Sequence, residues 1–401
     1  METCSYDKLA VLMNLSKMSN RAGRYISQPT GYRAFIPAPL PPNPPINLKG
    51  DLQVLLSNAD RALGRLDGSI QTLPNPDLFV AMYVRKEAVL SSQIEGTQSS
   101  LQDLLSAEAN IFNPNRPKDV NEVINYVAAM NLGLDRLKSL PVSVRLFREI
   151  HAQLVQGVRG QHLTPGELRT TQNWIGPQGC RLSEASFIPP PPRDVPEALG
   201  NLETFLHKTT GIPLLIKIGL AHAQFETIHP FLDGNGRIGR LLITFLLCEQ
   251  NVLTKPVLYL SHYFKRYRQQ YYEILQAIRD DGDWENWLTF FLTGVAAVSH
   301  QAALTAQKIL RLREKHRQKI INQFRGTSGN GLRVLEYLFQ NPIISVDQAR
   351  DLTSTTFPPA NNLVGRFVKH GILREFTGQK RNRRFIYQDY YDLFKDGPGP
   401  S

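Results

Sequence analysis

The residues with the clearest chemistry form one stretch, 229–240, with the sequence HPFLDGNGRIGR. It combines a histidine that can accept a proton near neutral pH with a carboxylate, two glycines around an asparagine, and two arginines. Glycines at 234 and 236 permit positive φ angles, which let successive backbone N–H groups point inward around an anion. The stretch therefore predicts a phosphate-binding loop with a base beside it.

The charged side chains of this loop strengthen that prediction. Arg237 and Arg240 lie three residues apart, so they share a face of a helical first turn and can bind one polyanion. Asp233 is a single hard carboxylate, which suits Mg²⁺ because this ion keeps waters and takes further ligands from substrate phosphates. A plain turn with solvated charges is the alternative, but it leaves the convergence of these groups unexplained.

Helices must position this loop. Apolar runs predict one helix over 213–228 and another over 237–249, so the loop delivers its groups to a helix N-terminus with free N–H groups. Earlier in the chain the apolar spacing predicts further helices over 51–66, 77–95, 120–137 and 142–155. The helix over 77–95 has Asp77 as its predicted cap and Gly96 after its end, and another helix is predicted to begin near Ser100, with Asp103 in its first turn. The chain is therefore predicted to be mainly α-helical.

The loop resembles the signature of the Fic family, H-x-F-x-D/E-G-N-G-R-x-x-R, at every defined position. The resemblance implies a helical enzyme that transfers AMP from ATP to a Ser, Thr or Tyr hydroxyl of a target protein. By position, His229 resembles the base and Asp233 the Mg²⁺ ligand. The nucleotide site implied in this way comprises Gly234, Asn235, Gly236, Arg237, Ile238, Gly239 and Arg240, with Tyr267, or less directly Tyr271 or Tyr272, near the adenosine. The phosphotransferase branch of the family typically has a lysine after the asparagine, so the resemblance, with glycine at 236, implies AMP transfer rather than phosphate transfer.

A second segment, Ser91 to Gly96, resembles the inhibitory motif S/T-x-x-x-E-G/N of autoregulated Fic proteins. The resemblance implies that Glu95 pairs with Arg240 and occupies space that the γ-phosphate of ATP needs. A carboxylate on a guanidinium removes a phosphate ligand and adds negative charge at the same place. Autoinhibition by Glu95 is therefore expected. Removal of AMP, which some relatives perform with this glutamate, stays open.

Between the predicted helices, Trp174–Gly176 and Ser186–Ile188 predict two short strands that form a hairpin. In the Fic family a hairpin in this place, the flap, holds a segment of the target as an added strand. The resemblance thus predicts a target protein bound along 174–188, here called the flap. A buried hairpin without a role in target binding is the alternative.

The last quarter of the chain is strongly basic. Residues 301–401 hold 17 Lys and Arg against 8 Asp and Glu, so they carry nine of the eleven net positive charges. Residues 331–388 are patterned as three helices and a hairpin, which predicts a winged helix-turn-helix whose wing carries Lys380, Arg381, Arg383 and Arg384. Docking of DNA and docking of a protein are both open for this unit. The alternative function is therefore a DNA-binding regulator or interaction module with a weakly active Fic domain.

The length of 401 residues predicts two or three domains. The expected fold is a mainly α Fic-type helical bundle with a small flap, plus the winged helix-turn-helix domain. Its expected parts are an extended Pro-rich segment at 1–50, an N-terminal helical region with the inhibitory helix at 51–117, the Fic core at 118–297, a charged linker helix at 298–327 and the winged-helix domain at 328–396.

Composition sets the remaining expectations. The chain is 42% hydrophobic and 20% charged, without an apolar run of about 18 residues, so no membrane span is expected. Residues 1–20 lack the apolar core of a secretion signal, and the three cysteines lack metal-binding spacing, which together favour the cytoplasm. Cys248, in an apolar helix, is expected to be a core thiol. Homodimerisation is common among related proteins, although no residue here demonstrates it.

Overall fold

The computed structural model describes residues 19–73, 75–111, 116–177, 179–208 and 210–395. Cys4, Pro74, residues 112–115 and the ends of the predicted N- and C-terminal segments lie outside these ranges. The described chain is mostly helical with two small sheets, which confirms the predicted fold class.

The N-terminal segment differs from the prediction of a wholly extended chain. Residues 19–37 form an antiparallel sheet of three strands in chain order: β1 (Ser19–Asn20), β2 (Gly23–Ser27) and β3 (Arg33–Pro37). Tyr25 lies opposite Phe35, whose ring is fully buried. The Pro-rich run dominated the prediction, but it begins only at Pro37, the last residue of β3, and the strand before it buries Ala34 and Phe35. No helix or strand forms over 38–50.

Three helices follow the sheet: α1 (Asp51–Gln71), α2 (Pro76–Ile94) and α3 (Leu101–Glu108). The predicted cap of α2 is wrong: Asn75 occupies the N-cap and Pro76 the first helical position, where a proline loses no hydrogen bond. Gly96 follows the end of α2 with φ 97°, as predicted. The capping box of Ser100 and Asp103 at α3 is confirmed.

The centre of the fold is built from five further helices, and the last two of them hold the signature loop. These are α4 (Val120–Arg136), α5 (Val144–Leu154), α6 (Val195–Lys208) and α7 (Leu214–Ile228), followed after the loop by α8 (Asn235–Glu249). Almost every residue of α7 and α8 is buried. Gly133 of α4 lies against the ring of Phe245 in α8, where any Cβ would collide. The two helices that hold the loop are therefore core elements, which keeps the loop rigid.

The chain continues through α9 (Ser261–Arg266) and α10 (Arg268–Asp281) into α11 (Trp284–Gln323), a helix of 40 residues. The predicted charged linker helix at 298–327 is helical up to Gln323, but it is the second part of this continuous helix rather than a separate element. The charges of Arg311 and Lys315 are exposed, while Ile309 and Ile320 are buried and the helix packs along α1. By length and composition α11 could cross a membrane, but 61% of its most apolar window is buried in the fold, as in a core helix.

The C-terminal unit comprises α12 (Ser328–Gln340), β4 (Ile343–Ser345), α13 (Val346–Thr353), α14 (Phe357–Lys369), β5 (Arg374–Glu375), β6 (Arg384–Ile386) and α15 (Gln388–Asp392). The strands form an antiparallel sheet in the order β4, β6, β5. Ser345 caps α13 through a capping box. The unit packs on α2, with the Phe79 and Phe339 rings 5.0 Å apart.

Candidate active site

The signature loop joins the end of α7 to the start of α8. His229 adopts a left-handed conformation with φ 49°, and Gly234 does so with φ 81° at the N-cap of α8. The Asn235 side chain closes the loop, because its Nδ2 donates to Phe231 O at 2.7 Å and its Oδ1 accepts from Phe231 N at 2.8 Å. No side chain caps α8. Its first N–H groups are therefore open to a ligand, as at other anion-binding helix ends.

His229 is partly buried, and its imidazole is neutral. Its Nδ1 lies 3.4 Å from the carbonyl oxygen of Glu226, so an Nδ1–H donor leaves Nε2 free to accept a proton. Burial, followed by the positive charges of Arg169 and Arg279, lowers the pKa of His229 to about 3. The backbone carbonyl of His229 accepts from Arg169 Nε at 2.9 Å, which fixes the turn. His229 thus has the form that a general base requires at neutral pH.

A cavity of about 590 Å³ opens above this histidine. It lies between the loop, the end of α2, the flap and α10. Its wall holds both acidic and basic side chains together with backbone of the loop and flap: Glu95, Trp174, Ile175, Gly176, Ser186, Phe187, Glu226, His229, Gly236, Arg240, Arg268, Tyr272, Glu273, Leu275, Gln276 and Arg279. Four of the residues predicted from sequence, His229, Gly236, Arg240 and Glu95, therefore meet in one cavity.

Glu95 and Arg240 form the ion pair that the inhibitory motif predicted. Glu95 Oε1 accepts from Arg240 Nη2 at 2.7 Å, and Ser91 holds the same guanidinium through its Oγ at 2.8 Å and its carbonyl at 3.1 Å. Burial alone would raise the pKa of the Glu95 carboxyl, but the charge and hydrogen bond of Arg240 outweigh it and lower that pKa. Glu95 is therefore an anion beside the base.

Gly236 serves a different purpose from the one predicted. It lies inside α8 rather than in a left-handed turn, so positive φ is not the reason for a glycine here. A Cβ at this position would collide with Glu95 Oε1 and approach Arg240 Nη1 to 3.0 Å. The glycine therefore provides the space in which the carboxylate meets the guanidinium, and through which an anion could approach the helix end.

Asp233 and Arg237 do not line the cavity. Arg237 is fully buried, and its Nη1 donates to Glu122 Oε2 at 3.2 Å while its Nη2 lies 3.4 Å from Asp233 Oδ1. Ile238 is likewise fully buried. Sequence reasoning missed Glu122, a buried carboxylate in the first turn of α4 whose only signal was a charge near the start of a predicted helix.

The residues around Asp233 fit Mg²⁺ only if Asp233 is the single protein ligand of the ion. Within the described ranges no three His, Cys, Asp or Glu side chains form a cluster that could hold a metal. The Asp233 side chain is 27% exposed, and its Oδ1 accepts from Gly234 N at 2.6 Å. One partly exposed carboxylate suits an ion that takes its other ligands from phosphate and water.

Glu226 was also missed by sequence reasoning. Its side chain lies in the last turn of α7 and lines the cavity, and Oε1 has no hydrogen-bond partner among the described residues. Burial raises the pKa of Glu226 to about 7, the charge of Arg240 opposes that rise, and Glu95 adds to it. A Cβ on Gly239 would collide with Glu226 Oε1, which explains the glycine at 239.

The flap is shorter than the two predicted strands. One antiparallel bridge joins Ile175 to Phe187: Ile175 N donates to Phe187 O at 2.8 Å, and Ile175 O accepts from Ser186 N at 2.8 Å and Phe187 N at 3.1 Å. Prolines at 177 and 189–192 follow both segments, and because they lack an N–H the ladder cannot extend.

The three tyrosines that follow the loop differ in whether they line the cavity. Tyr267 ends α9, packs its ring 4.7 Å from that of Tyr263 and is not part of the cavity wall. Tyr271 is buried and its hydroxyl lies 2.9 Å from His222 Nε2. Tyr272 alone of the three lines the cavity. The helix breaks at Tyr267, between α9 and α10, so Tyr267 and Tyr272 do not lie on one continuous helix. The contact of Tyr267 with the adenosine stays a prediction.

Comparison with known proteins agrees with this site. The Fic/DOC family N-terminal model matches residues 53–135, and the Fic/DOC family model matches residues 141–247. A probable protein adenylyltransferase of Aquifex aeolicus is 40% identical over 88 residues, which cover 20% of this chain and 28% of that protein. Protein adenylyltransferase Fic of Aedes aegypti is 27% identical over 205 residues, 47% of this chain and 38% of that protein.

The chain spans only 28% and 38% of the length of these two curated relatives. Among solved structures, a Fic family protein from Desulfovibrio desulfuricans G20 shares the fold with a TM-score of 0.54 at 17% identity. The match covers 89% of this chain and 99% of that one. Residues 53–135 and 141–247 are therefore similar to the N-terminal region and the Fic domain of the Fic/DOC family.

Proposed function

We propose that this chain is a protein adenylyltransferase that moves AMP from ATP to a hydroxyl side chain of a target protein, and that Glu95 holds it inactive. The observation that carries the proposal is the set of groups that border one cavity. A neutral histidine with a free Nε2, the uncapped N-terminus of α8 and Arg240 all border it. The adenylyltransferase names of the relatives support the same reaction.

In the proposed reaction the target hydroxyl oxygen attacks the α-phosphorus of ATP while His229 Nε2 accepts the hydroxyl proton. A bond forms between that oxygen and the phosphorus, the bond from the α-phosphorus to the bridging oxygen breaks, and pyrophosphate leaves. The α8 N–H groups at Gly236 and the guanidinium of Arg240 stabilise the phosphate charge. When bound, Mg²⁺ would neutralise further phosphate charge, with Asp233 as its protein ligand.

The proposed target-binding edge is the Trp174–Gly176 side of the flap. Ile175 directs its N–H and carbonyl to Phe187. Because main-chain groups alternate along a strand, those of Trp174 and Gly176 point the other way, and both residues line the cavity. An extended target segment added there would gain main-chain hydrogen bonds with little demand on its side chains.

Labelled ATP tests the proposed reaction directly. The Glu95→Gly variant is incubated with ATP labelled at the α or at the γ position, and covalent label on protein is measured. We expect label from the α position and none from the γ position, and none from either after His229→Ala in the same background. Label from the γ position would indicate kinase chemistry, and label from neither would leave only a binding role.

For the C-terminal unit we propose contact with the phosphate backbone of DNA. Lys380, Arg381, Arg383 and Arg384 line a groove beside Asn361 of α14. The groups suited to reading bases are largely engaged within the protein: Arg366 Nη1 donates to Thr327 Oγ1 at 3.0 Å, and Arg383 Nη2 donates to Asn361 Oδ1 at 2.8 Å. This arrangement supports phosphate contact with little sequence preference.

DNA binding is expected to fall steeply with salt. If about three of the four basic groups contact phosphates, the slope of log K against log salt is about −3. The measurement is a titration of a fluorescent duplex at several salt concentrations, with Lys380→Ala/Arg381→Ala expected to flatten the slope by about 2. Arg145→Ala, an exposed arginine on α5, is the matched control. No binding at low salt would instead favour a protein-docking role.

A further inference from the structure

Arg279 of α10 connects the flap to the core. Its side chain is 5% exposed, and its guanidinium carbon lies 3.8 Å from the centroid of the Phe187 ring. Cation–π pairs are recognised out to about 6 Å, so this is a close contact. Burial lowers the pKa of Arg279 to about 10, which leaves it a cation at neutral pH.

The same guanidinium also holds the turn before the catalytic histidine. Nη2 donates to the carbonyl of Glu226 at 3.3 Å, and Nε donates to Thr227 Oγ1 at 3.3 Å. The Glu226 carbonyl is the one that faces His229 Nδ1. The third group, Nη1, donates to Gln276 Oε1 at 3.2 Å on its own helix. One planar cation thus bridges the flap residue and the carbonyl that orients the base.

The other side of Phe187 is closed by the N-terminal sheet. The ring of Phe35 in β3 lies 6.0 Å from that of Phe187, and Phe35 N donates to the carbonyl of Ile188 at 2.9 Å. The edge of the flap at 186–188 is therefore supported by β3. What remains for a target is the opposite edge, at Trp174–Gly176, which borders the cavity.

We infer that Arg279 is a positioning residue that sets the distance and angle between the flap and His229, and so the place of a target hydroxyl relative to Nε2. This inference rests on the proposed AMP transfer. The guanidinium fixes flap and base to each other through a single rigid group, whereas separate contacts would let each move independently.

Amide hydrogen exchange tests the structural part without any substrate. The bridge amides of Ile175, Ser186 and Phe187 are followed in Glu95→Gly protein carrying Arg279→Lys, Phe187→Leu, or both. We expect each single change to speed exchange about tenfold, because a lysine cannot stack and bridge at once. Because both changes remove the same contact between Arg279 and Phe187, the amides of the double variant should exchange no faster than those of the faster single variant.

Arg268→Lys, which changes another cavity arginine of α10, is the matched control and should leave flap exchange unchanged. Circular dichroism shows whether each variant folds. If Arg279→Lys does not fold, the flap exchange rates of Phe187→Leu test the inference. Unchanged exchange in the folded single variants, or additive effects in the double variant, would overturn the inference.

Kinetics separate positioning from nucleotide binding. Self-labelling from α-labelled ATP should show kcat lowered about tenfold by Arg279→Lys with KM for ATP within about twofold. A loss expressed in KM for ATP would make Arg279 a nucleotide contact and overturn the inference. If the Glu95→Gly parent transfers no label, the proposed function fails, and hydrogen exchange still decides whether Arg279 holds the flap.

Discussion

Replacing Glu95 with glycine is expected to raise the initial rate of AMP transfer by about tenfold or more. The carboxylate accepts a 2.7 Å hydrogen bond from Arg240 Nη2, and a hydrogen bond to a charged group contributes about 1.5–3 kcal/mol. Without it the guanidinium is free for phosphate, while its two contacts to Ser91 keep it in place. The measurement is label on protein from α-labelled ATP against time, at equal protein concentrations.

Two further variants show whether Glu95 restrains AMP transfer through its charge or through the space it occupies. Glu95→Gln keeps the size of the side chain and removes its charge, so an intermediate rate is expected if both effects matter. Glu108→Gln, which alters the ion pair of Arg85 on the neighbouring helix, should leave the rate at the wild-type value. Equal rates for wild type and Glu95→Gly would show that the ion pair does not restrain transfer.

The parts of the site that could be predicted are those with a local signature. The loop from His229 to Arg240 carries its base, turn and arginines within one stretch, and the motif ending at Glu95 is equally compact. Gly236 lies in the cavity wall, but the positive φ expected for it is wrong, because the need for space arises from Glu95, which approaches from another helix. A local sequence pattern identifies the residues of a site more easily than it identifies the physical reason for each residue.

The parts that escaped prediction depend on contacts between distant segments. Glu122 meets Arg237 across 115 residues, and nothing in either neighbourhood indicates the other. Glu226 becomes a titratable group near neutral pH only because helices bury it. The long α11 was divided in the prediction because its charged face dominated the composition, although its apolar face continues into the core against α1.

Replacing Glu122 with glutamine is expected to lower the free energy of unfolding by about 3 kcal/mol. Arg237 is fully buried and Glu122 is 6% exposed, so the change leaves a buried cation with less compensation. Breaking a buried pair costs about 3–5 kcal/mol, and the lower end applies because Asp233 stays 3.4 Å from Nη2. Denaturant unfolding followed by fluorescence of the buried tryptophans Trp284 and Trp287 measures it.

The matched control is Glu149→Gln, which removes the carboxylate of a surface pair with Arg136 and should cost less than about 1 kcal/mol. Adding Arg237→Met to Glu122→Gln removes the uncompensated charge while roughly keeping its volume, so part of the lost stability should return. Equal losses for the Glu122 and Glu149 variants would show that Glu122 does not compensate Arg237. A double variant less stable than Glu122→Gln alone would show that the hydrogen bonds of the Arg237 guanidinium to α4 and Asp233 stabilise the loop more than its uncompensated charge destabilises it.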